Sequence, residues 1–213
     1  VGAVRTDTGV HALYYVAHFD CAADIGDGDD LAYHLNAMLP PDIAVMSVRR
    51  VADTAHARFD AVVREYQYCI LPFKFPFRRE SSWQYYVPLD IDKMNLAAQM
   101  LTSAEDFTTF SKLHSNNATF ICNVSHAQWE ERGGEYIFTI RADRFLRNMV
   151  RSVVGTLVDV GRGRIKVDKF GEILHSRDRS RAAGSAPAQG LFLTDVRYPG
   201  EIFLRQTSKT ARI

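Results

Sequence analysis

Residues 124–161 read VSHAQWEERGGEYIFTIRADRFLRNMVRSVVGTLVDVG, and they carry the clearest fold signal in the chain. Apolar and polar side chains alternate from Glu135 to Asp143, as they do in a strand with one buried face. Arg132-Gly133-Gly134 separates this segment from Val124–Glu131 and is typical of a hairpin turn. Beyond the hairpin, apolar residues recur at helical spacing from Met149 to Val160. The stretch therefore predicts two antiparallel strands followed by an amphipathic helix.

The first 51 residues predict a strand, a helix and a second strand. Ala12–Phe19 is apolar and aromatic, and Ile43–Val51 is rich in β-branched residues, so both are predicted strands. Between them, Asp30 is a suitable N-cap for a helix that ends at Pro40-Pro41. This order suits a split βαβ unit or half of a ferredoxin-like domain.

The remaining elements follow the same rules of periodicity. Their predicted positions are a strand at Val62–Ile70, a helix capped by Asp90 or Asp92, a short helix at Val167–His175 capped by Asp168, and a strand at Leu191–Tyr198. Gly155 lies inside the helix that the run Phe145–Arg151 opens, and it costs helical stability relative to alanine, so we expect close packing at that point. Gly161 is a suitable C′ residue for the same helix.

Composition limits the classes of protein to which the chain can belong. Its 213 residues, 46% hydrophobic and 24% charged, suffice for one large domain or two small ones with a sizeable core. Because 26 Lys and Arg residues stand against 25 Asp and Glu residues, the net charge is +1, and any basic surface must come from local clustering. No apolar run approaches the length that crosses a bilayer.

Three cysteines, Cys21, Cys69 and Cys122, are odd in number, far apart and in no metal-binding spacing. This pattern argues against a disulfide framework and against a zinc site, and it fits the reducing cytoplasm. We therefore expect a cytoplasmic protein with no metal and no membrane segment.

The N-terminal stretch VGAVRTDTGVHA places a carboxylate in a short polar turn between apolar flanks. Residues 6–9 are turn formers, so Asp7 is expected on a loop, where catalytic residues often lie. Arg5 is two residues away, and a nearby guanidinium favours the ionised carboxylate that a nucleophile or general base requires. The spacing alone favours a simpler interpretation, an Asx-turn in which Asp7 bonds only its own backbone.

Two further clusters carry basic residues. On one strand, Arg64, Tyr66 and Tyr68 share a face, which suits a half-buried strand or, alternatively, a ring that stacks on a base beside a cation that meets phosphate. Arg147 and Arg151 lie four residues apart at the start of the predicted helix, where two solvated arginines are the ordinary interpretation.

Five separated motifs together resemble those of TruA-type tRNA pseudouridine synthases. They are RTD-x-GVHA at residues 5–12, HARF followed by R-x-Y-x-Y at 56–68, DFTTFS at 106–111, F-x-x-x-MVR-x-x-VG at 145–155, and APA-x-GL-x-L-x-DV at 186–196. Val4 stands where the family usually has glycine, which adds bulk before the Asp7 loop. The agreement in order and type covers nearly the whole chain, from Val1 to Pro199.

The resemblance implies an α+β pseudouridine synthase fold with two ferredoxin-like-derived sub-domains, whose mostly antiparallel sheets flank a central RNA-binding cleft. Residues 1–54 would be the remainder of the N-terminal sub-domain with the catalytic loop, 55–199 the C-terminal catalytic and RNA-binding sub-domain, and 200–213 a tail. Family members usually carry a strand, a helix and a further strand before this loop, so we expect this chain to lack the first few dozen residues.

The implied reaction is the isomerisation of uridine to pseudouridine at positions 38–40 of the tRNA anticodon stem-loop. Since no electrons or groups leave the nucleotide, neither a nucleotide cofactor nor a metal is required, in line with a sequence that contains no Gly-rich phosphate loop. Family members are homodimers, so a homodimer that binds tRNA is expected.

The resemblance also assigns roles to individual residues. Asp7 is the expected catalytic carboxylate, Arg151 its ion-pair partner, and Tyr66 the ring that stacks on the uracil and a candidate proton acceptor. Arg5 is expected to guide the flipped nucleotide, and Leu191 to line the uracil pocket. The expected tRNA contacts are Ala55, His56, Ala57, Arg58 and Phe59 and, in a polar segment whose composition alone favours a solvated loop, His114, Ser115, Asn116, Asn117 and Ala118.

Two other classes of function stay open on the sequence. An RNA-binding protein of the same fold with weak or no catalysis would bind tRNA in a salt-dependent way without turnover. An aspartate-based hydrolase of a small substrate would have no affinity for tRNA, and the interleaved Arg, Tyr and His segments count against it.

Overall fold

The computed structural model describes residues 1–22, 25–112 and 118–204, and in these ranges the protein is α+β. Its strands are β1 (His11–Ala12), β2 (Val63–Leu71), β3 (Trp83–Gln84), β4 (Val124–Arg132), β5 (Glu135–Ala142) and β6 (Leu191–Arg197). Its α-helices are α1 (Gly28–Met38), α2 (Ile91–Gln99), α3 (Met149–Gly161) and α4 (Val167–His175). No helix within the described ranges combines the length and the apolar character that crossing a membrane requires.

The six strands form one sheet in the order β1-β6-β2-β5-β4, and β3 pairs with the end of β2. The pairs β6–β2, β2–β5 and β5–β4 are antiparallel, whereas β1 runs parallel to β6 and β3 parallel to β2. The predicted hairpin is confirmed, because Arg132 pairs with Glu135 across a turn whose two glycines have φ angles of 59° and 80°. The central strand β2 meets β5 on one side and β6 on the other.

One face of the sheet forms the core with helices α2, α3 and α4. Tyr68, Ile70 and Phe138 on this face are fully buried. Trp129 stacks on Phe138 with ring centroids 5.0 Å apart. Because burying one large apolar side chain contributes about 1.5–3 kcal/mol, this layer holds the central strand and α3 in a defined relation.

Helix α3 is buried along nearly its whole length, and Gly155 explains how closely it packs. A Cβ atom at Gly155 would lie 2.0 Å from the carbonyl oxygen of Gly184, so only glycine lets the backbone of residues 184–186 lie against the helix. This confirms the predicted close packing. Gly161, in contrast, is the last residue of the helix and not its C′ residue, since the positive φ of 76° falls at Gly163.

The two strands predicted near the N-terminus are wrong in extent. Among the residues that the structure describes, the segment Ala12–Phe19 is represented only by His11–Ala12 and a single bridge between Gly2 and Ala17, and Ile43–Val51 by one bridge from Val51 to Phe203. Side chains such as Leu13 and Met46 are exposed there, so β-branched and aromatic composition does not produce a strand where the described part of the chain places no long strand alongside.

Helix bounds agree with the predictions better than the caps do. Asp90 caps α2 as predicted, since its Oδ1 accepts a hydrogen bond from the Lys93 N–H at 3.0 Å. Helix α1 begins earlier than predicted, with Asp27 as its N-cap through the Asp29 N–H, so Asp30 lies in the first turn. Asp168 likewise lies in the first turn of α4, where a carboxylate interacts favourably with the helix dipole without capping it.

Candidate active site

The Asp7 loop is closed by its own backbone and anchored to the sheet. The carbonyl of Asp7 accepts a hydrogen bond from the Val10 N–H at 3.1 Å, and Gly9 supplies a φ of 82° that favours glycine. Directly after the turn, β1 pairs with β6, and the His11 ring stacks on Phe192 with centroids 4.8 Å apart. The loop therefore leaves the edge of the sheet at a defined point.

Val4, at the position where glycine was expected, fits without backbone strain. Its φ angle is not positive, and its side chain packs against the core. Its carbonyl oxygen accepts a hydrogen bond from the Tyr15 hydroxyl at 2.9 Å. The entry to the Asp7 loop is thus held by a hydrogen bond that does not depend on glycine.

The side chain of Asp7 contacts Arg151, which lies 144 positions away in sequence. Nη1 of Arg151 donates to Oδ2 of Asp7 at 3.1 Å, and the two side chains are only 21% and 23% exposed. Nε of Arg151 donates to the carbonyl of Ala186 at 2.7 Å, and the Ala186 N–H returns a bond to the Arg151 carbonyl at 2.9 Å. Within the described residues, the carboxylate makes this ion pair in place of an Asx-turn.

Arg147 brings a second positive charge to the same carboxylate. Its Nε lies 3.8 Å from Oδ1 of Asp7, and its side chain is 60% exposed. It precedes α3 rather than standing in its first turn, because Asn148 between them has a left-handed backbone with φ 65°. The sequence pattern predicted the four-residue spacing of the two arginines but not that both face Asp7.

Tyr66 lies on the core face of β2, and its ring meets the Phe145 ring edge-on with centroids 5.1 Å apart. Burial raises the pKa of Tyr66 well above its usual value; the Arg64 guanidinium opposes this shift, and the Asp7 carboxylate adds to it. The hydroxyl is therefore protonated at neutral pH, which suits a hydrogen-bond donor better than a phenolate acceptor.

Arg64, predicted beside Tyr66 as a cation that could meet phosphate, has a different role. It is buried, and its guanidinium donates to the carbonyls of Ala61 (2.8 Å), Asp143 (2.6 Å) and Arg58. Burial lowers the pKa of Arg64, although nearby Tyr and Asp groups favour its charged form. Three of its five N–H donors bind main-chain carbonyls and the side chain is buried, so the structure argues against a phosphate contact for this residue.

Tyr68 and Leu191 lie beside the turn that follows Ala186, the main-chain acceptor of Arg151. The Tyr68 hydroxyl donates to the carbonyl of Pro187 at 2.7 Å, and Leu191 pairs with Tyr68 across β2 and β6. Both side chains are buried. Burial raises the pKa of Tyr68, while the Arg151 guanidinium acts in the opposite direction. Leu191, the residue predicted to line the uracil pocket, thus lies one turn after Ala186, which holds Arg151.

The predicted tRNA-contact segment Ala55–Phe59 is held by two histidine rings. Nδ1 of His56 accepts hydrogen bonds from two backbone N–H groups of the segment, at 3.1 and 3.3 Å. Nδ1 of His18 accepts a third from the Ala57 N–H at 2.9 Å. Both rings therefore hold the backbone of the segment through their Nδ1 atoms. Nothing in the sequence around His18 indicated this contact.

Only part of that segment presents side chains to solvent. Phe59 is 73% exposed, and the Arg58 guanidinium lies over its ring at 5.6 Å from the centroid. Ala57 is buried, and its carbonyl accepts a hydrogen bond from the Tyr198 hydroxyl at 2.6 Å. Arg58 and Phe59 are therefore the members of the segment best placed to meet a nucleic acid.

The other predicted contacts are more scattered. Arg5 is exposed on the loop that carries Asp7, and Ala118 is exposed after α2. His114, Ser115, Asn116 and Asn117 lie outside the described residues. Among the residues that are described, no three His, Cys, Asp or Glu side chains come together in a way that could hold a metal ion.

Comparisons with known proteins point to one family. The family model described as tRNA pseudouridine synthase matches residues 97–199. The chain is 50% identical over 213 residues to tRNA pseudouridine synthase A of Bacteroides thetaiotaomicron, covering 99% of this chain and 79% of that protein. It is 52% identical over 204 residues to the Bacteroides fragilis protein of the same name (95% and 81% covered) and 42% identical over 200 residues to that of Thermoanaerobacter sp. strain X514 (93% and 82% covered).

Proposed function

The chain belongs to the tRNA pseudouridine synthase family, and we propose that it isomerises uridine to pseudouridine at positions 38–40 of the tRNA anticodon stem-loop. In this reaction the N1–C1′ glycosidic bond breaks, the uracil turns, and C5 bonds to C1′. C5 loses its hydrogen as a proton and N1 gains one, so atoms and electrons balance within the nucleotide. The chemistry requires a positioned carboxylate and a pocket for the extruded base.

The ion pair between Asp7 and Arg151 is the observation that carries this proposal. A carboxylate can attack the base, attack the sugar or remove a sugar proton, and each step needs it ionised. A guanidinium at 3.1 Å, itself fixed to a main-chain carbonyl, pairs with the carboxylate and holds it in place. Arg151 binds Oδ2, and among the described residues no hydrogen bond occupies Oδ1.

Tyr66 and Leu191 are proposed to receive the uracil. The uridine must leave its base stack to reach a carboxylate. Tyr66 lies on the core face beside the Asp7 charge, and Leu191 on the adjacent strand adds an apolar wall. Aromatic and apolar side chains of this kind commonly hold an unstacked base.

We further propose that tRNA contacts extend along Arg5, residues 55–59 and residues 114–118, and that the active protein is a cytoplasmic homodimer. The exposed Phe59 ring under the Arg58 guanidinium supports the second of these surfaces. A division into sub-domains at 1–54 and 55–199, followed by a tail at 200–213, belongs to the same proposal. A binding protein without catalysis is not favoured, since the relatives that match almost the whole chain are named as synthases.

Tritium release from tRNA labelled at uracil C5 tests the proposal, because C5 must lose its hydrogen. The wild-type chain is expected to release tritium, and Asp7→Asn to release it at least ~100-fold more slowly, as when a general base or nucleophile is removed. Asp159→Asn is the matched control, because Asp159 is similarly exposed (24%) and also faces two arginines, at 3.7 and 3.9 Å.

Two results would contradict the proposal. Wild-type tRNA binding without release would indicate a protein that only binds RNA. Release by Asp7→Asn at the rate of the control would remove Asp7 from the chemistry while leaving the family's reaction in place.

A further inference from the structure

Two arginines approach different oxygens of the same carboxylate. Arg151 binds Oδ2 of Asp7 at 3.1 Å, which is a hydrogen bond, whereas Arg147 faces Oδ1 at 3.8 Å, which is beyond hydrogen-bond length. Oδ1 therefore carries a positive neighbour but, within the described part of the chain, no donor. If both arginines served only to pair with Asp7, both would be expected to form hydrogen bonds to it, and only Arg151 does.

The two side chains are also held differently. Arg151 is mostly buried and anchored by a second hydrogen bond to Ala186. The Arg147 side chain is 60% exposed, and what is fixed is its backbone: its carbonyl accepts a hydrogen bond from the Lys112 N–H at 3.1 Å. The Asn148 side chain, which follows, donates to the Ser185 hydroxyl at 2.6 Å. A hydrogen-bonded backbone thus presents a guanidinium that is mostly exposed to solvent.

Basic residues lie around the Asp7 carboxylate, although the whole chain is nearly neutral. Arg5 is exposed on the Asp7 loop, and Lys112 is exposed one hydrogen bond from Arg147. In RNA each base is attached to a sugar that carries a phosphate on either side. A base that reaches Asp7 therefore brings a phosphate group close to Asp7. A guanidinium is the side chain best matched to two phosphate oxygens at once.

We propose, on the basis of the proposed function, that Arg147 is a phosphate-binding residue for the flipped nucleotide. On binding, its guanidinium leaves the vicinity of Oδ1, engages a backbone phosphate of the tRNA and exposes Oδ1 to the reacting uridine. The exchange costs little, because the Arg147 guanidinium is 60% exposed and makes no hydrogen bond to Oδ1 at 3.8 Å. Arg151 stays in place on Oδ2 of Asp7.

The test compares Arg147→Ala, Arg147→Lys and Arg164→Ala in the full chain. Arg164, just beyond the opposite end of α3, is the matched control. Its side chain is 62% exposed and lies 3.9 Å from the carboxylate of Asp159. Two readouts are used: kcat and KM from tritium release, and the dissociation constant for unmodified tRNA at several salt concentrations. The second does not depend on catalysis.

Arg147→Ala is expected to raise KM about 10-fold with kcat nearly unchanged, as for loss of one charged hydrogen bond. It should also lower the slope of log affinity against log salt by about 0.7–0.9, the value for one phosphate contact. Arg147→Lys should keep that slope, because lysine also pairs with phosphate. Arg164→Ala should match the wild type in both readouts.

Unchanged KM and salt slope in Arg147→Ala would overturn the inference, and so would a fall in kcat alone, which would place Arg147 in the support of Asp7. A wild-type chain that binds tRNA but releases no tritium would contradict the proposed reaction while the salt slopes still decide the role of Arg147. A wild-type chain that neither binds tRNA nor releases tritium would overturn both the proposed reaction and the role of Arg147.

Discussion

At the residue scale, the site depends on how one guanidinium divides its donors. Arg151 serves a carboxylate with Nη1 and a main-chain carbonyl with Nε, so its planar fork spans two different segments of the chain. An ammonium group has no such geometry, because its three donors radiate from one atom. The identity of this cation therefore matters as well as its charge.

Arg151→Lys is predicted to reduce kcat/KM by about 10- to 100-fold, since lysine cannot keep both bonds and a hydrogen bond to a charged group is worth about 1.5–3 kcal/mol. Tritium release measures the rate, and thermal unfolding checks that the fold is kept. Arg162→Lys is the control, because Arg162 is equally shielded (24% exposed) and faces Asp159 at 3.7 Å. Equal activity in the two variants would show that charge alone is needed.

At the element scale, the contact between α3 and residues 184–186 positions the acceptor of Arg151. Gly155 lets the backbone at Gly184 approach the helix, and the Ala183 N–H donates to the Thr156 hydroxyl at 3.1 Å. The Ala186 carbonyl lies at the end of this contact. The helix thus sets the position of the ion pair through its packing as well as through the arginine that it carries.

Gly155→Ala is predicted to destabilise the protein by about 1–3 kcal/mol, because overpacking outweighs the helix preference for alanine of about 1 kcal/mol. Gly171→Ala in α4 is the control, since its Cβ would meet only the flexible end of Met100 at 3.3 Å. Urea unfolding measures both free energies. Equal stability of the two variants would show that the 184–186 backbone can move away without cost.

At the scale of the whole molecule, the sheet order brings together segments that are distant in sequence. Strand β6, near the end of the described chain, lies between β1 and β2, so the Asp7 loop, the Tyr66 strand and the turn before Leu191 become neighbours. The same packing buries two of the three thiols, since Cys69 and Cys122 are buried and Cys21 is exposed.

Burial raises the pKa of Cys69 to about 12, with a hydrogen bond to Glu135 adding to the effect, and burial likewise raises the pKa of Cys122 to about 12. An unfolded thiol ionises near 9, so the folded state holds more protons in between. Stability from these groups is therefore complete below pH 9 and is lost as the pH rises towards 12.

The free energy of unfolding is predicted to fall between pH 9 and 12, and this fall should shrink in a Cys69→Ala, Cys122→Ala variant. Urea titrations across that range measure it. At pH 7.5 an alkylating reagent should modify Cys21 in preference to the buried pair. Rapid labelling of all three thiols at pH 7.5 would contradict the burial on which the prediction rests.

The sequence by itself determined the elements whose signal is local. Alternation and helical spacing predicted β2, β4, β5, β6, α2, α3 and α4 to within a residue or two at most ends, because each carries its own buried face. Motif order was sufficient to recognise the family, and it pointed to Asp7 and Arg151 as partners, whose catalytic roles stay predictions.

Tertiary structure alone decided the features that need a partner distant in the chain. Ile43–Val51 has strand composition, but within the described residues it pairs through a single bridge from Val51, since strand formation depends on a neighbour that composition does not supply. Arg64 resembles a surface cation in sequence, yet three carbonyl oxygens surround it. Arg147 faces Asp7 because a left-handed residue turns the chain before α3, and backbone geometry of that kind has no reliable signature in a single sequence.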